Sequence, residues 1–362
     1  MELTKQRSYG LDLLRILSMY LVVILHLMGA GGVLYPLVPG SIRYVAAWGL
    51  EIVASCAVNC YGLLSGYVGY GHSHSRKKLL SMWLQVFVLC VLLSWGVGLY
   101  FQGALSPKDI VAPLFPVLSA QYWYFTAYFG VYLLMPYLDR MLAGLDKRQT
   151  VELTAVLVLL FSVLPLFATE DLFATNGGYT FLWLMVLYLL GACVKKYEPS
   201  MGRPAWHCLL GFVGCMALGL VGKLGGDALT ARFLPNIAIG ARLTSYTSPI
   251  LLCASALLLL LFRRWNIKSR LGCKLIAFFA PISFGVYIIH TNGKVWTYLL
   301  AGSMLWVAQL SAPLLLLAVL GIALAVFLGC SMLDFVRLKL FQLCTKLFSR
   351  KKEAEKEPVG RL

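Results

Sequence analysis

Charge is scarce in this 362-residue chain. Asp, Glu, Lys and Arg make up only 13% of it, hydrophobic residues make up 60%, and just 15 residues are acidic. That shortage excludes a water-soluble globule, whose surface needs far more charge. No C-x-x-C pair and no internal repeat is present. Of the ten cysteines, Cys56, Cys60, Cys90, Cys193, Cys215, Cys253 and Cys330 fall inside apolar stretches and read as small core residues. Cys208, Cys273 and Cys344 lie near span ends or in the tail. His72 and His74 form an H-x-H pair with no third ligand nearby, so both are expected to be solvated or to face headgroups, and no metal site is expected.

Long apolar stretches, by contrast, fill the chain, whose mean hydropathy is +0.80. Ten of them are about long enough to cross ~30 Å of hydrocarbon. They cover 10–31, 45–69, 79–101, 121–143, 151–168, 178–195, 205–224, 243–263, 275–292 and 312–333. The expected fold is therefore all-α, a polytopic transmembrane helical bundle of about ten spans, with both termini cytoplasmic. The segment Lys108 to Ser119 holds Pro113 and Pro116, follows Pro107, and is too broken to span. Residues 1–340 read as the transmembrane domain and 341–362 as a basic, disordered cytoplasmic tail. The first span resembles a secretory signal, but with nine further spans it is expected to act as a signal anchor.

Basic residues are retained on the cytoplasmic side during insertion. With the N-terminus inside, 25 of the 31 Lys and Arg fall inside, and Arg43, Lys108, Lys223, Arg232, Arg242 and Lys294 fall outside. The net charge of +16 is thus a topology signal, and nucleic acid is not an expected partner. Lys223 and Arg232 are expected in an outer loop, dispensable for function.

Three polar groups interrupt the first span. In GLDLLRILSMYLVVILHLMGAGG, Arg15 and His26 are eleven residues apart, three helical turns plus ~20°, so they share a face. Asp12, three residues before Arg15, lies on the same stripe and suits an ion pair with it. His26 lies about 16 Å above Arg15, beyond the membrane midplane, where an ionisable side chain normally faces a cavity or a partner.

The run D-L-L-R-I-L-S-M-Y-L-V-V-I-L-H resembles the first helix of the membrane acyltransferase-3 family. VNCYGLLSGYVGY, with Ser65, Gly66 and Tyr67, is similar to that family's small-residue turn. QYWYFTAYFGVYLLMP, with Trp123, Tyr124, Tyr128 and Pro136, and APISFGVYIIH, with Ser283, Tyr287 and His290, are similar to further family patterns. The resemblance implies about ten spans and transfer of an acyl group, acetyl above all, from cytoplasmic acyl-CoA to a hydroxyl of an exported or cell-surface glycan or a lipid-linked one. No permanently bound cofactor is implied. The third helix starts with Arg76, Lys77 and Lys78, where family members often carry an arginine pair. With no soluble domain after the tenth span, the chain resembles the stand-alone bacterial branch, placed in the plasma membrane as a multi-pass protein, with homo-oligomers an open expectation.

Acyl transfer to a hydroxyl needs a base and cations for the donor's phosphates. His26 is the expected base, with Glu51 at a depth that would orient it. Asp12, Arg15, Arg76 and Lys77 form the expected donor site. Asn59, Ser65, Trp123, Tyr124, Ser283, Tyr287 and His290 are the expected acceptor or cavity residues. A secondary transporter of a small solute, such as an amino acid, is the alternative, because transporters also hold ionisable groups at depth.

Overall fold

A computed structural model describes residues 7–197, 205–233 and 238–354. The expectations for Lys5, Arg203, the Cys344 side chain and residues 355–362 lie outside the described residues. The chain is 80% helix. In order, the helices are α1 (Tyr9–Met28), α2 (Ile42–Gly69), α3 (Arg76–Gln102), α4 (Pro107–Val111), α5 (Trp123–Gly144), α6 (Lys147–Val158), α7 (Leu164–Phe167), α8 (Phe181–Tyr197), α9 (Ala205–Phe233), α10 (Ile239–Leu243), α11 (Pro249–Arg264), α12 (Arg270–Phe279), α13 (Ser283–His290), α14 (Gly293–Val295) and α15 (Ala312–Ala354).

Each of the ten expected spans coincides with helix. Among the described residues, α1, α2, α3, Lys147–Phe167, α9 and the Ala312–Leu343 part of α15 are long and apolar enough to cross a membrane, and α12 with α13, bent by 43°, adds a seventh if counted as one broken span. The remaining three, α5, α8 and α11, are 22, 17 and 16 residues long. Pro249 explains the late start of α11: it sits in the first turn, where its missing N–H costs nothing, behind a Ser248 cap. Pro165 has a similar local effect. The turn before it, Leu159–Val163, widens into a π-helix, which accommodates the ring that would otherwise strike the preceding carbonyls. The last helix runs on to Ala354, through the first part of the segment expected to be disordered.

The first two helices, α1 and α2, form the buried centre, while α3, α9 and α15 turn most of their surface outward. An apolar centre gains nothing from packing against equally apolar lipid, so close backbone approach has to hold the helices together. Between α2 and α8 that approach is glycine on carbonyl. A Cβ on Gly66 would lie 1.9 Å from the Tyr188 carbonyl oxygen, and one on Gly191 would lie 2.0 Å from that of Leu63. The broken segment after α3 forms α4 and a single 3-10 turn, Ala112–Leu114, and does not span. Lys294 beside Asp109 on α4 holds that carboxyl down at about 2. Because this value lies below the ordinary one, the ion pair is complete above about pH 4 and is lost only as pH falls through 2.

Nine free cysteines are described. Cys208 lies in the first turn of α9, near the span end, and is buried there, whereas Cys253, expected as a core residue, faces outward on α11.

Candidate functional site

The polar stripe of α1 forms as its spacing requires. Arg15 Nη1 donates to Asp12 Oδ1 at 2.9 Å, and Arg7 Nε donates to the other oxygen at 2.6 Å, so one carboxylate sits between two guanidiniums. Tyr61 of α2 donates its hydroxyl proton to the Arg15 carbonyl oxygen at 2.8 Å, which fixes α2 against this stretch of α1.

Eleven residues on, His26 is oriented by a neighbour other than the expected one. Its Nδ1 lies 2.8 Å from His290 Nε2 at the end of α13. His290 Nδ1 lies 2.6 Å from the Val286 carbonyl oxygen. A carbonyl only accepts, so His290 carries its proton on Nδ1; in the neutral pair its Nε2 accepts from His26 Nδ1, and His26 Nε2 keeps a lone pair. Trp296 closes one side, its ring edge-on to His26 with centroids 5.0 Å apart. It belongs to a second π-turn, Trp296–Leu300. Glu51, the expected orienting group, takes no part in this pair, and its Oε2 is buried without a partner.

His26 opens onto a small cavity of about 60 Å³, walled by Tyr61, Trp123, Tyr124, Tyr246 and Tyr287 among others. From this cavity a ladder of tyrosines descends α5. Tyr124 stacks on Tyr128 at 6.4 Å and Tyr128 meets Tyr132 at 6.2 Å, the i, i+4, i+8 spacing of one helix face. Ser65 Oγ donates to the Tyr128 hydroxyl at 3.3 Å, and Tyr132 donates to the Ser75 carbonyl, the residue before Arg76. The ladder therefore joins the His26 cavity to the first turn of α3. Tyr287 adds a fixed wall, its hydroxyl accepting from the Tyr124 N–H at 3.3 Å.

Other expected site residues fall elsewhere. Asn59 is spent on structure, donating to the Tyr246 carbonyl and accepting from Trp183 Nε1. Ser283 donates to the Ala280 carbonyl at the bend before α13 and does not line the cavity. Arg76 and Lys77 stand exposed on the first turn of α3. His74 is not solvated: its ring is buried and lies 2.9 Å from Asp139 Oδ2, while Tyr188 donates to the other oxygen at 2.6 Å. That cluster pins the turn carrying Arg76 and Lys77 against α5. Nor does Lys223 lie in a loop. It is buried in α9, 2.9 Å from Asp227 Oδ1 and over the Trp48 ring at 3.9 Å.

Sequence reasoning also missed Asp334. Fully buried on α15, it accepts from Arg337 Nε at 2.5 Å and from Gln85 of α3 at 3.3 Å, and a Cβ on Gly285 would lie 2.1 Å from its Cγ. The i, i+3 spacing of Asp334 and Arg337 was the available signal. No group of three or more His, Cys, Asp or Glu among the described residues could hold a metal ion.

Compared with known proteins, residues 8–333 match the family model described as an acyltransferase domain, the third of that designation. No curated protein and no solved structure matches the chain.

Proposed function

The chain belongs to the acyltransferase-3 family, and from that membership we propose that it transfers a short acyl group, acetyl above all, from cytoplasmic acyl-CoA to a hydroxyl of an exported glycan or related acceptor across the plasma membrane. The observation that carries this reading is the unshared lone pair on His26 Nε2, placed at the head of a tyrosine ladder that starts beside Arg76 and Ser75. Arg15 and the basic turn Arg76–Lys77 bind the donor's phosphates; an arginine engages them bidentately. The pantetheine arm follows the ladder, and the thioester carbon reaches the cavity. A volume of about 60 Å³ suits a short acyl group.

The acceptor approaches from the other face. His26 Nε2 takes the hydroxyl proton as the oxygen attacks the thioester carbonyl, the C–S bond breaks, and the proton passes to the departing sulfur as CoA thiol. The products are an ester and free CoA, with no net gain or loss of protons. His290 holds the ring of His26 in the tautomer this step needs. The Tyr287 hydroxyl and the Trp123 face are the acceptor-side wall. Nothing in the family match supports the alternative of a secondary transporter.

Two experiments test this. In sealed vesicles of known orientation, labelled acyl-CoA added only at the Arg15 face will acylate a hydroxylated acceptor held only at the other face, and the CoA will stay where it was added. Label confined to an acceptor on the donor's own side would defeat the cross-membrane step. Separately, Arg15→Gln will weaken acyl-CoA binding about tenfold or more, since a charged hydrogen-bond partner contributes roughly 1.5–3 kcal/mol. Arg232→Gln, at an exposed position on α9, will bind normally; calorimetric titration reads the difference, and equal losses would contradict the assigned donor site.

A further inference from the structure

At the end of the bundle expected to face outward, cations are few, and two of them converge. Lys108 and Lys294 line one polar pocket of about 200 Å³ with Ser94, Gln121 and Thr297. Lys294 Nζ lies 2.6 Å from Asp109 Oδ1 and 3.2 Å from Gln102 Oε1, while Lys108 stands exposed. Next to this pocket along α3 and the Trp296–Leu300 turn is an apolar groove of about 650 Å³. Its walls include Leu93 and Val97 of α3, Leu300, Val326 and Gly329 of α15, and the ring of His290. Ser94 faces the pocket and its neighbour Leu93 the groove; Thr297 faces the pocket and Leu300 the groove.

We propose that groove and pocket together bind one membrane lipid phosphate, its chain in the groove and its phosphate between Lys108 and Lys294, and that this lipid carries the acceptor hydroxyl. Three observations select that occupant. The groove is walled by α3 and α15, the spans that keep most of their surface outside the bundle, so hydrocarbon borders it. Its lining is apolar apart from His290 and Ser303, which excludes a polar ligand along its length. Its polar end offers two ammonium groups and one carboxylate, a net positive charge on the side where basic residues are sparse, which matches a phosphate. Access to the base follows from the chain itself. Gln121 lines the pocket, and Trp123 and Tyr124 line the His26 cavity, so a head group on the phosphate crosses only the start of α5 to reach it. The binding half of the inference stands alone, whereas the acceptor half rests on the acyl-transfer reading.

The test uses the purified full chain and a polyprenyl phosphate bearing one hexose as probe, with native mass spectrometry reading retained lipid. Gly329→Phe fills the groove; nothing lies within 4 Å of a Cβ there, so the helix accepts it. Lys108→Gln removes a phosphate cation from an exposed position. Gly214→Phe, on α9 where a Cβ also meets nothing within 4 Å, is the control. Retention will fall about tenfold in the first two variants and be unchanged in the control. Equal retention in all four proteins, or equal retention of phosphatidylcholine, would overturn the site. With labelled acetyl-CoA added, Gly329→Phe will raise KM for the lipid-borne hexose and leave KM for acetyl-CoA unchanged. Acylation of the lipid-borne hexose as fast in Gly329→Phe as in wild type, or of a water-soluble hexoside by wild type as fast as of the lipid-borne one, would overturn the acceptor assignment. Lipid retention without transfer to any hydroxyl would keep the lipid site and refute the transferase reading.

Discussion

Replacing His26 by alanine will slow acyl transfer by about 10²–10⁴-fold, the range expected for loss of a positioned base, and will leave the amount of folded protein in the membrane near normal. The side chain is only half-buried, and its one hydrogen bond is to His290, so removing it opens space beside a cavity instead of in the packed centre. His290 separates the chemistry from the packing. His290→Gln keeps an amide oxygen that accepts from His26 Nδ1 and will retain much more activity than His290→Leu, which leaves that N–H unpaired and frees the ring to turn. Turnover with labelled acyl-CoA, read beside a thermal melt of each variant, checks both. An alanine variant at position 26 that turns over like wild type would remove this histidine from the mechanism.

The largest effect on the fold is expected at the α2–α8 crossing. Gly66→Leu or Gly191→Leu will abolish the monodisperse folded species, because the added carbon meets a main-chain carbonyl at about 2 Å and the obstacle is backbone that no rotamer change can move. Overpacking in a compliant site costs about 1–3 kcal/mol; here the two helices must separate, so the cost exceeds that range. Gly96→Leu, where a Cβ meets nothing within 4 Å, will fold normally. Fluorescence-detected size exclusion from solubilised membranes compares the three. A stable, monodisperse Gly66→Leu protein would show that α2 and α8 cross differently.

What the sequence reveals depends on how local the cause is. The ten apolar stretches are legible as helix because each is a local, mostly apolar run, and six of them, or seven with the bent α12–α13 pair, are long and apolar enough to cross a membrane. The Asp12–Arg15 pair is legible too, since residues three apart on a helix must be neighbours. His26 stands out because an ionisable group at depth is costly. Its partner does not: His290 lies 264 positions away, and no period within α1 or α13 says which helix packs on which. Glu51 looks like the orienting group while depth is the sole coordinate, but it sits seven residues before Val58 of the cavity wall, two turns farther along the same face of α2, and the partner that reaches His26 is His290. His74 and Lys223 read as solvated for the same reason, since Asp139 and Trp48, which bury them, come from other parts of the chain. The π-turns at Leu159–Val163 and Trp296–Leu300 are legible only where a proline announces them, as Pro165 does for the first.

The hydrogen-bond chain behind His26 ends on the carbonyl of Val286, a group without charge. An aspartate in that place would have fixed a negative charge inside the bilayer, permanently matched to an imidazolium. Here no charged group stands behind the pair, so in the proposed reaction a proton taken up by His26 makes an imidazolium whose only counter-charge is the oxyanion formed at the thioester carbon, within the field of the membrane, where each elementary charge is worth roughly 2.3 kcal/mol per 100 mV for a full crossing. Such a state is one to leave quickly. In that proposed reaction both charges vanish when the proton reaches the departing sulfur, so deprotonation of the hydroxyl and release of CoA would be tied together electrostatically, and a hydroxyl that entered without a donor in place would find no thioester carbon to take up its negative charge.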